Sequence, residues 1–232
     1  MKRLIMEDLL GWRGEKARKP LIIRGVRQCG KTYILKEFGR QYFSRCHYFN
    51  FEITPQLSKI FDSDLVPARI LNELSFLAGQ PIDIENELLI FDEIQACPNA
   101  LTSLKYFQEA YKQLYLCAAG SLLGIHLGPV SFPVGKVTLM TLHPMNFEEF
   151  LMADGDERSL EVMCNLKLNG AISEIIHEHL WGQLKRYFVV GGMPEAVAAY
   201  CERKSTLIEA FKKAREIQSQ LSLVLCHRCI DG

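Results

Sequence analysis

Short apolar runs alternate with amphipathic stretches through most of this chain. Pro20-Leu21-Ile22-Ile23 is compact and rich in β-branched residues, which predicts a buried strand. A glycine-rich turn follows, and then Ile34, Leu35, Phe38 and Tyr42 recur at helical spacing. Cys46 to Glu52 predicts a second strand. Pro67 opens a helix carrying Ile70, Leu71, Leu74 and Leu77, and Gly79 closes it. Glu87 to Glu93 predicts a third strand. Asn99 is expected to cap a helix with Leu101, Leu104, Phe107, Tyr111 and Leu114 on one face. Leu114 to Ala119, ending at Gly120-Ser121, and Lys136 to Leu142 predict two more strands. Met1 to Lys19 reads as a mixed lead-in, with Leu9 and Trp12 as its buried anchors.

This alternation argues for an α/β fold, a parallel sheet with helices on both faces. Such sheets bind ligands at the carboxyl ends of their strands. Thr32, Glu93 and Ser121 all fall just past predicted strand ends and should converge on one crevice. Beyond Asp154-Gly155-Asp156 the pattern changes. Ile172, Ile175, Ile176, Leu180, Leu184 and Phe188 form a helical stripe, residues 189–195 read as a loop, and further helix follows. His177 and His179 flank the stripe. Metal-binding pairs usually sit four residues apart, so these two are expected on solvated helix surface.

Composition narrows the picture. The chain has 232 residues and 48% hydrophobic content, enough for one α/β domain and part of another. Lys+Arg and Asp+Glu both number 27, so nothing global draws the chain to nucleic acid or to an anionic membrane. Met1 to Asp8 reaches acidic residues before a signal-peptide core could form. The uncharged stretch from Gln113 to Gly135 is broken by Gly120, Gly124, Gly128, Pro129 and Pro133, which predicts a strand and a loop and no membrane span. Of eight cysteines, Cys29 lies in the glycine-rich turn and Cys117 in an apolar strand. They read as reduced thiols, and the expected location is cytoplasmic. Cys226-His227-Arg228-Cys229 would need two more ligands to hold zinc, and none follows.

The chemistry concentrates in two motifs. Gly25-Val26-Arg27-Gln28-Cys29-Gly30-Lys31-Thr32 fits the phosphate-binding P-loop, G-x-x-x-x-G-K-[ST]. Gly25 and Gly30 are expected to let the backbone curl so that its amides face phosphate oxygens. Lys31 would meet the β- and γ-phosphates, and the Thr32 hydroxyl would ligate Mg²⁺. The predicted cofactor-binding stretch runs through Tyr33. Downstream, Glu87-Leu88-Leu89-Ile90-Phe91-Asp92-Glu93 has the form of a Walker B strand. Asp92 would hold Mg²⁺, and Glu93 would orient and polarise an attacking water.

Together these pieces resemble the prokaryotic AAA-type ATPases that carry a C-terminal DUF4143 region. Their loop reads G-x-R-Q-x-G-K-T, matched by Gly25 to Thr32. Their D-E-I-Q-x-x-P is matched by Asp92 to Pro98, and their Gly-Ser strand end by Gly120-Ser121. P-x-x-F-x-E-F is met by Pro144 to Phe150, and G-G-x-P by Gly191 to Pro194. The resemblance implies an AAA-like core over residues 1–153 and a small helical lid from 154 to 232, with ATP between them. It puts Ser121 at the sensor position, where a hydroxyl can bond the γ-phosphate or the water. Lys31, Glu93 and Ser121 are then the catalytic candidates, and Mg²⁺-dependent ATP hydrolysis is the expected activity. A nucleotide-dependent switch and a DNA-associated ATPase stand as alternatives. ATP and ADP are the expected small partners. A homo-oligomer, and a protein or DNA partner, remain open.

Two departures from the family pattern stand out. Lys136 occupies a place where the family often has arginine, and it is expected at a solvated strand edge. Family chains run on through a larger C-terminal region, so this chain is expected to be truncated. Residues beyond about Gln218 should then be mobile, and apolar side chains between Leu207 and Ile230 should face water.

Overall fold

A computed structural model describes residues 1–121, 135–166 and 172–202. The Cys226–Cys229 motif and the apolar segment from Leu207 to Ile230 lie outside them. The described residues fall into two compact units. One comprises Ile5–Val26 and Gly30–Leu142. The other comprises Met1–Leu4, Arg27–Cys29 and the described residues from His143 onward.

The first unit is built on five strands: β1 (Leu21–Gly25), β2 (Arg45–Asn50), β3 (Glu87–Asp92), β4 (Tyr115–Ser121) and β5 (Thr138–Thr141). All pair in parallel, in the order β2-β3-β4-β1-β5. Parallel strands buried on both faces need continuous apolar runs, and β3 shows this: all six of its residues are buried. Helices α1 (Ile5–Gly14), α2 (Lys31–Tyr42), α3 (Pro67–Ala78) and α4 (Pro98–Ala110) flank the sheet. Phe51, Phe61, Phe91 and Phe107 meet edge to face between β3, α4 and a 3₁₀ turn at Pro55–Phe61.

The predicted strands and helices of this unit are present, with three differences. The lead-in is itself a helix, α1, which buries Leu9 and Trp12 as expected. Two 3₁₀ turns, at Pro55–Phe61 and Ile94–Ala96, were not anticipated. Asn99 does not cap α4: Cys97 precedes the helix, Pro98 fills its first position, and Asn99 is exposed. Proline suits that position because its missing N–H has no helical partner there.

The second unit contains α5 (Phe147–Asp154), α6 (Glu157–Asn165), α7 (Glu174–Val190) and α8 (Pro194–Glu202). Asn146 and Glu149 form a reciprocal capping box on α5, and Asp156 and Ser173 cap the next two helices. Met145, Phe150, Val190, Ala196, Val197 and Tyr200 make the core. The expected α7 stripe is only partly inside. Ile175 and Phe188 are exposed, while the polar Gln183 is buried and donates to Asp156 at 2.9 Å. His177 and His179 are exposed on the helix surface, as expected, and the His179 Nε2 also lies 2.8 Å from the Asp156 carboxylate. The predicted loop at 189–195 shrinks to Gly191–Met193, because α7 runs through Val190 and α8 starts at Pro194. Gly192 packs so closely that a Cβ there would lie 2.1 Å from the Met145 carbonyl oxygen, and its own carbonyl accepts from the Met145 amide at 2.6 Å. The G-G-x-P loop and the P-x-x-F-x-E-F segment thus meet. Among the described residues, no helix is long and apolar enough to cross a membrane.

Candidate functional site

The loop that follows β1 turns at two residues with left-handed backbone. Gly30 has φ 95°, and Gln28 is also left-handed at φ 62°. A side chain at Gly30 would strain that conformation, so glycine is needed there. Gly25 does not make the turn, contrary to the reading that paired it with Gly30. It is the last residue of β1 and lies opposite Ser121 at the end of β4. Val26, Arg27, Gln28 and Tyr33 are exposed, whereas Cys29 is fully buried. Lys31 is buried at the start of α2, and its ammonium donates to the carbonyls of Gly25 (3.1 Å) and Val26 (2.8 Å). The charge therefore sits across the mouth of the loop.

Asp92 ends β3, and four donors converge on its carboxylate. The Thr32 hydroxyl reaches Oδ2 at 2.8 Å, the Tyr48 hydroxyl at 2.7 Å and the Asn50 amide at 3.3 Å. The Glu93 amide reaches Oδ1 at 3.0 Å. Parallel register causes this convergence, because Asn50 pairs directly with Asp92. Asn50 also accepts from the amides of Glu52 (2.9 Å) and Ile53 (2.8 Å), which fixes its orientation. Burial, and then the bond to Asp92, push the Tyr48 phenol up to about 12, so its proton stays available for donation.

Glu93 follows in the left-handed region at φ 50°, a conformation that turns the chain sharply out of the strand. Its Oε2 accepts from the Gln95 amide, and the Gln95 Oε1 is buried without a protein partner. Both predicted metal ligands, Thr32 and Asp92, are brought together. Glu93 is next to them in the chain, and Ser121 is buried beside the first loop residue. Lys136 lies elsewhere, in an ion pair with Glu109 at 2.9 Å in which both side chains are about half exposed.

Sequence reasoning missed Tyr48, Asn50 and Gln95. Gln95 stands in the quoted D-E-I-Q motif, so a signal existed. Tyr48 and Asn50 carried none beyond their alternation along a predicted strand.

The oxygen donor set suits a hard divalent cation. A hydroxyl and a single carboxylate fit Mg²⁺, which completes its shell with water and phosphate oxygens. No group of three or more His, Cys, Asp or Glu residues placed to hold a metal ion occurs among the described residues.

The AAA domain family model matches residues 17–151, more than half of the chain, and the chain belongs to that family. Among solved structures it is similar to C. elegans PCH-2 at 12% identity and TM-score 0.47, covering 85% of this chain and 60% of that one. It is also similar to Drosophila ORC bound to DNA at 15% identity and TM-score 0.46, covering 93% and 66%. AMPPCP-bound DnaA from Aquifex aeolicus matches at 17% identity and TM-score 0.41, covering 92% and 74%. The chain therefore spans less than two thirds of the PCH-2 chain. No curated protein sequence matches it.

Proposed function

We propose that this member of the AAA domain family binds Mg²⁺-ATP at the loop from Gly25 to Tyr33 and hydrolyses it. One observation carries the reading. The Thr32 hydroxyl and the Asp92 carboxylate, 60 positions apart in sequence, lie 2.8 Å apart beside a lysine-capped glycine loop. Thr32 and Asp92 would hold the Mg²⁺. When bound, that ion would neutralise charge on the phosphates. The loop amides and Lys31 bind the phosphates. Glu93, released from Gln95, orients the attacking water and takes up its proton. Ser121 bonds the γ-phosphate or that water. Catalysis of this kind is mostly positioning and electrostatics.

We further place the chain among the AAA-type ATPases that carry a DUF4143 region, supported by the contact between Gly192 and Met145 that joins two of their motifs. A cytoplasmic setting is supported by the burial of Cys29, Cys97 and Cys117 inside the fold. ATP hydrolysis would be coupled to a partner.

The test is Glu93→Gln, which keeps the side-chain shape and removes the base. Turnover should fall about 100-fold or more while calorimetric ATP affinity stays within about threefold. Unchanged turnover would take Glu93 out of the reaction and favour a nucleotide-dependent switch. Failure of the wild-type chain to bind ATP would reject the site.

A further inference from the structure

Arg3 is the one cation among the described residues that is buried and bonds to the phosphate loop from outside it. Only 5% of its side chain is exposed. Its guanidinium makes three bonds: Nε to Glu149 Oε1 at 3.0 Å, Nη1 to the Cys29 carbonyl at 2.9 Å and Nη2 to the His143 carbonyl at 2.6 Å. Arg3, Cys29, His143 and Glu149 all belong to one compact unit.

We infer that Arg3 is a positioning residue for the phosphate loop: with its guanidinium locked by Glu149, it pins the Cys29 carbonyl and thereby fixes the direction of the Gly30 amide N–H. This inference rests on the reading that the loop takes nucleotide phosphates.

The argument runs through the peptide plane. No cis peptide bond occurs among the described residues, so the Cys29–Gly30 unit is trans and planar. In a trans peptide, C=O and N–H point in opposite directions. Holding the Cys29 oxygen on one side therefore holds the Gly30 N–H on the other. Gly30 needs that hold, because its φ of 95° lies in a region where glycine moves easily and an unpinned peptide could flip.

Glu149 makes the pin rigid. Its Oε1 also accepts from the Leu4 amide at 2.8 Å, and its Oε2 accepts from the Asn146 amide at 3.2 Å within the α5 capping box. The carboxylate is thus tied at three points and cannot follow a moving arginine. It also neutralises the arginine, so what reaches the loop is a directed donor more than a net charge. A planar fork presents donors on three separate nitrogens in fixed directions, whereas a lysine gathers its three donors on one nitrogen at the end of a flexible stem. The structure also gives the P-x-x-F-x-E-F motif a task, since its second glutamate holds the residue that shapes the P-loop.

The experiment compares the full chain with Arg3→Lys, Arg3→Gln and Glu149→Gln. Calorimetry measures binding of ADP, ATP and adenosine, and thermal melts monitor folding. Arg3→Lys should lose about tenfold or more in ADP and ATP affinity and leave adenosine binding unchanged. A residue that merely supports the fold would lower the melting temperature without separating the phosphate-bearing ligands from adenosine. ADP affinity of folded Arg3→Lys equal to wild type overturns the inference. Nitrogen relaxation at the Gly30 amide of the unmutated chain gives a second reading that needs no variant. It should be as rigid as Ile22, and mobility like that of an exposed loop amide overturns the pin. If the wild-type chain binds neither ADP nor ATP, the functional reading fails and this inference fails with it. If it binds both and the variants bind equally well, only this inference fails.

Discussion

Strand β3 begins and ends with a buried carboxylate, and the two ends are furnished in opposite ways. Glu87, at the start, is met by charge. His47 Nε2 lies 2.7 Å away, Arg45 donates at 3.3 Å, and the Asp83 amide donates at 2.9 Å. Burial alone would raise its pKa. The bonds from His47 and the Asp83 amide, with the charges of His47 and Arg45, outweigh that and bring it below the ordinary 4.5. Asp92, at the other end, is met by two hydroxyls, a side-chain amide and a backbone amide, all neutral. Its hydrogen-bonding capacity is engaged, and none of these four donors carries a charge. The carboxylate at the start of the strand brings its own counter-charge, whereas the proposed cation ligand at its end is oriented by neutral donors. Burial and hydrogen-bond counts do not separate the two, but the charge of the partners does.

The sharpest test of the contrast is Asp92→Asn. It removes the charge at the functional end and keeps the side-chain outline. Mg²⁺-dependent turnover should fall about 100-fold, equivalent to about 2.7 kcal/mol, with an unchanged or slightly raised melting temperature. Magnesium titration of the ATPase rate and a thermal melt check both halves. A large loss of stability would show that Asp92 is structural after all.

Glu87→Ala should do the reverse. Leaving His47 and Arg45 without their partner is expected to cost about 3 kcal/mol of stability in urea unfolding. ATP affinity of the folded chain should stay within about twofold. The pH dependence follows with a definite sign. A carboxyl whose pKa is lowered by folding stabilises the fold above its unfolded value, here the ordinary 4.5, and that contribution is lost as pH falls through the lower folded value. Melts from neutral pH downward should therefore show the wild type losing stability below about pH 4.5 faster than Glu87→Ala. Parallel curves would remove Glu87 from the account.

Tyr48→Phe removes one of four donors from Asp92. About 1 kcal/mol is expected, seen as a several-fold weaker Mg²⁺ response in the same titration. No effect would mean that the remaining donors suffice. Lys136→Ala should change neither turnover nor stability measurably, because its pair with Glu109 is solvent-exposed. A large loss of turnover would assign that lysine a role in the reaction.

Much of this was legible in the sequence where the signal was local. The loop from Gly25 to Thr32, the run from Leu88 to Phe91 and the proline and glycine that bound α3 each announce themselves within a few residues. What escaped depends on pairing between distant segments. Nothing near Asn50 says that it will lie opposite Asp92, since that is a matter of register. Arg3 and Glu149 are 146 positions apart, and although Glu149 stands in the P-x-x-F-x-E-F motif, nothing local names Arg3 as its partner. Periodicity misled in α7, where Ile175 and Phe188 fall on the apolar stripe yet are exposed, and Gln183 goes inside because Asp156 needs its amide.

The strand order carries a consequence for how such a chain comes to exist. β1, which leads into the phosphate loop, has its neighbours in β4 and β5, so Leu21 pairs with Cys117 on one side and Thr138 on the other. A ribosome therefore finishes the P-loop sequence long before it makes the strands that flank it. Until Tyr115 and the residues after it have emerged, Leu21-Ile22-Ile23 has no β4 or β5 beside it, and an unpaired apolar strand invites pairing with other chains. Closing so long a connection is slow relative to local helix formation. The part of the molecule best defined by local sequence is thus locked in place only after strands far downstream have been made, and the nascent chain needs its apolar edge kept from other chains until Thr141 has emerged.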